Sequence, residues 1–529
     1  MFDYVLKNGL VVDGTRKKPY IASICIQDGR IAQITKDSYV TGRQVISAEG
    51  KVISSGFIDL HTHSDACPLD PFPSESMIFQ GVTTEIAGNC GISLFPATES
   101  KRAEILDYFS QNVEILPPKE SEKIDNMEEY IVQFKKRGFP IHLGMLIGHG
   151  TLRACVMGFG NREPTTKELE EMKFLLAREL QNGAYGMSLG LIYPPGSYSK
   201  TEELIELSKV LEAHDAILAV HMRNESKRVF DGVEEMIEVA KASGVHLHIS
   251  HLKLMGKPQW HRAQELLDKI EEARQEGCSI TCDQYPYEAT STGLAALVPG
   301  WAQDGGNAKM IERLKGKDSR LLGEIEKEME VRGGPEAVEI SSTHGYLPKI
   351  EGKNIQQLSK EYSLSPQEMV GEILIQCKGH TAATYYSLNL EDILTIMKDR
   401  NITVGSDGYD FSYDLSYRPH PRSFGTFPRF LRMVRENHLM PLEDAVYKIT
   451  GLPAKILKLS DRGVLKVGNV ADITVFDFNK VQDRPTYENP LLKPIGIEQV
   501  FVEGVVGLFH GKQTSSHNGS ILLDKSNDS

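Results

Sequence analysis

The sequence predicts an α/β protein built on a (β/α)8, TIM-like barrel, with a β module assembled from both chain termini and an inserted lid subdomain. Three observations carry that prediction. Apolar, β-branched runs alternate with charged segments of helical spacing from Val52 to Val404. Short strands separated by turn dipeptides fill residues 1–55 and return over 460–512. The strand–helix rhythm breaks once, at about 288–346, in Gly/Asp/Lys-rich sequence that reads as an insertion.

At the N-terminus, Tyr4-Val5-Leu6, Leu10-Val11-Val12, Ile21 to Ile26, Arg30 to Ile34 and Lys51-Val52-Ile53 read as strands, punctuated by Asn8-Gly9, Asp13-Gly14, Asp28-Gly29 and Glu49-Gly50. The barrel, 56–459, takes its strands from Val52 to Leu60, Thr83 to Ala87, Ile141 to Ile147, Tyr185 to Leu191, Ala216 to Val220, Val245 to Ile249, Ser279 to Cys282 and Ile402 to Val404. Between them lie helices such as the one opened by the capping-box pattern Thr165-Thr166-Lys167-Glu168, with Leu169, Met172, Leu176 and Leu180 on one face. Gly463-Val464-Leu465, Ala471 to Phe476 and Gln499 to Val502 are the C-terminal strands, and the two ends pair into one module because domain termini tend to lie close together. Gln513 to Ser529, rich in Ser and Asn, reads as a flexible tail.

Composition narrows the function. The 529 residues are 40% hydrophobic and 25% charged, a globular balance that excludes overall disorder. With 59 Lys plus Arg against 72 Asp plus Glu, the net charge of −13 makes nucleic acid and anionic membrane poor partners. No apolar run reaches the ~18–20 residues that span a bilayer. The N-terminus shows no basic segment leading into an apolar one, so no secretory signal is read. Seven scattered cysteines, an odd number, point to reduced thiols and a cytoplasmic setting. A homo-oligomer is compatible with these numbers.

The chemistry gathers where a barrel keeps it, at the C-terminal ends of its strands. Asp59-Leu60-His61-Thr62-His63 closes the first strand, and residues two apart on a strand share a face, so His61 and His63 can meet one metal ion. Cys90 follows the second strand between Gly88 and Gly91, which permit close backbone approach, and a thiolate is a strong zinc ligand. His221 and His251 each end an apolar strand, while His246 and His248 fall on the other pleat parity and read as structural. Asp407, after the last strand, suits either ligation or proton transfer. Together these residues indicate a zinc-type hydrolase with a His/Cys/His/Asp mouth.

On these residues the chain resembles the amidohydrolase superfamily and, within it, the N-acyl-D-amino-acid deacylases (D-aminoacylases). The resemblance runs from about Tyr4 to Lys512 and rests on Gly56 to Asp65, Gly81-Val82-Thr83-Thr84-Glu85 with Gly88-Asn89-Cys90-Gly91, and Gly148 to Arg153. It continues through Gly190 to Gly196, His221-Met222-Arg223, Ser250 to Lys253, Asp283 to Tyr287 and His420-Pro421-Arg422. It implies zinc as cofactor, one ion held tightly by Cys90, His221 and His251, with His61, His63 and Asp407 framing a weaker site. It implies Asp407 as general base and then acid, and Tyr193 as a group polarising the substrate carbonyl. Lys253 and Arg422 would receive the α-carboxylate of an N-acylated amino acid, and Tyr285 and Ser291 would line its side-chain pocket. The insertion matches a lid between the last two barrel strands, and the terminal strands match a small β-sandwich. The D configuration follows from the resemblance alone.

Two departures bear on substrate preference. Glu288-Ala289-Thr290-Ser291-Thr292 stands where a Thr-Ala-Gly-Ser-Thr-like run is expected, so an inward Glu288 would disfavour acidic side chains. The stretch Tyr409 to Arg418, with Tyr409, Phe411, Tyr413 and Tyr417, is long enough to cover the pocket. The rivals are a cyclic-amide hydrolase of dihydroorotase or hydantoinase type and a non-catalytic scaffold on the same fold. The cysteine and His-Pro-Arg motifs argue against the first, and the presence of every expected ligand type against the second.

Overall fold

The structure, a computed structural model, describes residues 1–37, 39–71 and 74–524. Eight parallel strands form the barrel: Phe57–Asp59, Val82–Ala87, His142–Gly148, Gly186–Gly190, Ile217–His221, His246–Ile249, Ile280–Gln284 and Ile402–Val404, neighbours in space as in sequence. Covered by helices outside and packed inside, such strands read as near-continuous apolar runs, which is why each is visible in the sequence. The ring closes just beyond the strand ends. The Asp407 N–H donates to the His61 carbonyl and the His63 N–H to the Gly408 carbonyl, both at 2.8 Å. That closure places two histidines and an aspartate of the site side by side.

The first barrel strand differs from the single run expected. Val52–Ser55 belongs to the terminal sheet, pairing with Leu10–Val12 and Ile473–Phe476, and only Phe57–Asp59 enters the barrel. Gly56 is the joint, lying so close to Thr83 that a Cβ there would stand 2.1 Å from its hydroxyl oxygen. The terminal sheet has nine strands drawn from both ends of the chain. Arg30 bridges to Val470, so the sheet curls back on itself over a core that includes Ile24, Ile26, Ile53, Ile473, Val475 and Phe501.

The insertion is longer than the 288–346 read from the sequence. Its last strand, Ala382–Tyr386, runs antiparallel to its first, Ala289–Gly293, with Val338–Ser342 on the other side. The Leu388 N–H donates to the Glu288 carbonyl at 3.0 Å and pinches the neck. This lid has its own core, built on Leu314, Ile325, Ile340, Leu358, Ile373 and Tyr385. The helix Leu390–Lys398 that follows packs on barrel elements.

Gln513 to Asp524 is not a free tail. Gly519 N–H bonds the Phe139 carbonyl at 2.8 Å, Leu143 N–H bonds Ser520 O at 3.1 Å, Leu522 N–H bonds Leu143 O at 2.8 Å and Asp524 N–H bonds Gly183 O at 3.0 Å. The segment caps backbone groups at the base of the barrel, which would otherwise lack partners. Residues 525–529 of the expected tail lie outside the described residues.

Candidate metal centre and catalytic cavity

The site is assembled by short turns that follow the strands. After Ala87 the chain turns sharply through Gly88 and Gly91, at φ +80° and +75°. A Cβ at Gly88 would meet Leu146 O at 2.0 Å, so no other residue fits the approach that delivers Cys90. The Asn89 amide donates to the carbonyls of Leu60, Thr62 and Ile86 and ties this turn to the first strand. Cys90, His251 and Asp407 all carry positive φ, at 53°, 37° and 53°. Left-handed backbone at non-glycine residues costs on the order of 1–3 kcal/mol and concentrates at functional sites, and here it falls on three candidate ligands.

Cys90 lies at the centre. Its Sγ is 3.4 Å from His61 Nε2 and 3.4 Å from His251 Nε2. Burial alone would raise the thiol, but the imidazoles of His61, His251 and His221 outweigh it and hold Cys90 well below its usual value, as a thiolate ready for a cation. His61, Cys90, His251 and Asp407 each offer a ligand atom within 4.8 Å of the others, and His221, Glu225 and His251 form a second, overlapping group. His221 is 5% exposed, with neither ring nitrogen hydrogen-bonded among the described residues. An unpaired buried polar group costs ~1–3 kcal/mol, a cost that a bound metal removes. One thiolate, several imidazoles and a carboxylate suit borderline-soft zinc. His63 stands one step out, with Nε2 3.0 Å from Asp407 Oδ1.

Three functional residues escaped the sequence reading. Asp283, fully buried, has Oδ2 at 3.1 Å from His61 Nδ1 and 2.9 Å from His248 Nε2, and Oδ1 accepts from the His251 N–H at 2.8 Å. A carboxylate on Nδ1 leaves His61 Nε2 free to ligate. His248 therefore supports the site from behind. Glu225 accepts from Lys253 Nζ at 2.8 and 2.9 Å and lies 3.1 Å from His251 Nδ1 and 3.5 Å from His221 Nε2. Burial would raise it, but His221, Lys253 and His251 together hold its carboxyl well below the usual range. Glu114 also lines the cavity. An acid inside an apolar strand was the available signal for Asp283. Glu225 and Glu114 sit in loops that gave none.

Asp407 bridges metal site and substrate space. Oδ1 is 3.4 Å from His61 Nε2, and Oδ2 accepts from Arg422 Nη1 at 2.6 Å. Burial raises its carboxyl, but Arg422, His61 and His63 together hold it well below the usual range. A second Arg422 nitrogen donates to Ser291 O at 3.2 Å. The buried Tyr285 hydroxyl has no partner among the described residues, and the ring has Lys253 and Arg422 at 5.8 and 5.1 Å. Tyr193 pairs its hydroxyl with Thr292 of the lid at 2.6 Å. The buried Arg153 steadies that loop by donating to Pro195 O at 3.1 Å and pairing with Glu203, so the Gly148-to-Arg153 motif serves architecture.

His63, Cys90, Tyr193, His221, His251, Lys253, Tyr285, Ser291, Asp407 and Arg422 all line one cavity, with His61 directly beneath. Glu288 does not line it. It turns outward, pairing with Arg429 at 3.0 Å, so the inward carboxylate considered from the sequence is not this one. The aromatic stretch after Asp407 packs inward: Tyr409 lines the cavity and stacks on Phe411 at 4.8 Å.

With that geometry in place, comparison with known proteins is informative. A model of the amidohydrolase family matches residues 44–304 and 356–507. A D-aminoacylase of Alcaligenes xylosoxydans xylosoxydans is 32% identical over 98% of this chain and 97% of its own length. An N-acyl-D-aspartate deacylase of the same organism is 31% identical over 95% and 91%. The crystal structure of N-acyl-D-glutamate deacylase from Bordetella bronchiseptica, complexed with zinc and a phosphonate mimic of the tetrahedral intermediate, superposes with a TM-score of 0.82 at 28% identity, covering 99% of both chains. An L-hydantoinase from Arthrobacter aurescens, 16% identical with a TM-score of 0.54, shares the fold alone.

Proposed function

The chain belongs to the amidohydrolase family, among its D-aminoacylases, and from that premise we propose that it is a zinc-dependent hydrolase. Its reaction is cleavage of the amide bond of N-acyl-D-amino acids to a carboxylate and a free D-amino acid. The observation that carries this reading is the buried Cys90 thiolate ringed by imidazoles, with the Asp407 carboxylate facing the same space.

Cys90, His221 and His251 would hold the tight zinc, and His61, His63 and Asp407 would frame a weaker second site. The His221 ring nitrogens, without a hydrogen bond among the described residues, and the depressed Cys90 thiol fit that cofactor. When bound, zinc would supply a Lewis acid that polarises the scissile carbonyl and lowers the pKa of water to about 7. Asp407 Oδ1 takes the proton of the attacking water, then gives it to the departing nitrogen, while Oδ2 stays anchored on Arg422. The Tyr193 hydroxyl, fixed by Thr292, donates to the developing oxyanion. Arg422, a planar fork with donors to spare, and Lys253 orient the α-carboxylate, with the Tyr285 hydroxyl as a further donor between them.

The partner is thus a small N-acylated amino acid, and one chain completes the cavity with or without assembly into a homo-oligomer. All seven cysteines are free, in keeping with a cytoplasmic enzyme, and no helix of the described residues is long and apolar enough to cross a membrane. The test is a panel with zinc supplied: linear N-acetyl-D-amino acids against hydantoin and dihydroorotate. Amine release from the linear substrates alone is expected. Ring opening without linear hydrolysis would move the protein to the cyclic-amide hydrolases.

A further inference from the structure

The deacylase reading leaves the side chain of the substrate open, and the compared relatives include both a D-aminoacylase and an acidic-side-chain deacylase. The cavity itself bears on the choice. Glu114, 5% exposed, faces into it from the loop after the helix Arg102–Asn112. Oε1 accepts from Ser291 Oγ at 2.8 Å, while Oε2 is buried with no hydrogen-bond partner among the described residues. The backbone is pinned on both sides: the Glu114 N–H donates to the Tyr409 hydroxyl at 2.9 Å, and the Tyr417 hydroxyl donates to Glu114 O at 3.2 Å. The carboxylate is therefore held in place with one acceptor unused. Burial raises its carboxyl above the usual value, more than the Ser291 hydroxyl and the charge of Arg422 lower it.

Chemistry fixes which part of the substrate comes near it. The departing nitrogen must face Asp407, and the α-carboxylate must meet Arg422 and Lys253. The α-carbon and its side chain then lie on the Asp407–Arg422 side, where Ser291 and Glu114 stand. No spare cation waits there. Arg422 and Lys253 are paired with Asp407 and Glu225, and the donors they have left are taken up by the α-carboxylate. Arg332, the other cation lining the cavity, belongs to the wall where Ile192, Met255 and Glu225 divide it from a second crevice, and its Nε is held by Glu328 at 3.1 Å.

We propose that Glu114 sets the side-chain preference, so that the enzyme takes N-acyl-D-amino acids with neutral or cationic, hydrogen-bond-donating side chains and rejects D-aspartate and D-glutamate derivatives. A donor side chain meets the free Oε2. A side-chain carboxylate would sit beside a buried carboxylate with no cation to share, and like charges at close quarters are strongly disfavoured.

N-acetyl-D-glutamine and N-acetyl-D-glutamate differ little in shape and fully in charge, so they are the probes. With zinc-loaded wild type, kcat/KM for the glutamine derivative is expected to exceed that for the glutamate derivative by at least about tenfold. In Glu114→Gln the gap narrows, chiefly through a lower KM for the glutamate derivative. Equal or better use of the glutamate derivative by wild type would overturn the proposal, as would an unchanged ratio in a folded, zinc-loaded Glu114→Gln. If that variant does not fold, the wild-type ratio decides alone. Failure to hydrolyse any D substrate would instead sink the deacylase reading, and this inference with it.

Discussion

Asp407→Asn abolishes hydrolysis while leaving the tight zinc in place. Asparagine keeps the size of the side chain and an oxygen able to accept from Arg422 or to face His63, contacts that Asp407 makes at 2.6 and 3.0 Å. It loses the basic oxygen that takes a proton from water and returns it to the leaving amine. Positioned proton transfer contributes roughly 10²–10⁴-fold, and a group used twice in one turnover belongs at the upper end, so kcat is expected to fall by about 10³–10⁴. KM should change far less, because Arg422 and Lys253 remain. Metal analysis must accompany the kinetics, since Asp407 also borders the weaker site. Near wild-type turnover with zinc retained would show that another group is the base.

The second large effect is on Cys90→Ala. Removing the thiolate leaves His61, His221 and His251 around a gap whose remaining anions, Asp407 and Glu225, are already paired with Arg422 and Lys253. Losing an outer-sphere partner typically costs ~10–100-fold in metal affinity, and losing this ligand should cost more. The purified variant is expected to carry little zinc and to regain little activity when zinc is added back. A circular dichroism spectrum like that of wild type would separate this from misfolding. Full zinc content and activity in the variant would remove Cys90 from the centre of the account.

Much of the architecture is written locally. Strands such as Ile217–His221 are apolar on both faces, and the residue that ends each one is easy to pick out. Cys90, His221, His251 and Asp407 were found that way, by position relative to a strand, and they converge in one cavity. What was illegible depends on distant pairing. The far boundary of the lid is set by Ala382–Tyr386 returning to Ala289–Gly293, an antiparallel match with no local mark. The C-terminal segment reads as a tail because its anchors are backbone bonds, such as Ser520 O to the Leu143 N–H, to which side-chain composition is blind. Gly56 looks like one residue of a strand and acts as the joint between two sheets. Supporting acids are the hardest to see. Glu225 and Asp283 gain their meaning only from the imidazoles and the lysine that folding brings to them. The motif leaves the direction of Glu288 open, and the carboxylate inside the cavity is Glu114, far away in sequence.

The most direct measurement is amine release from the two enantiomers of N-acetylmethionine by the same preparation, first stripped with a chelator and then reloaded with zinc. Turnover of the D enantiomer only is expected, absent from the stripped protein and restored by zinc. Equal turnover of the L enantiomer, or undiminished turnover after the metal is removed, would contradict it.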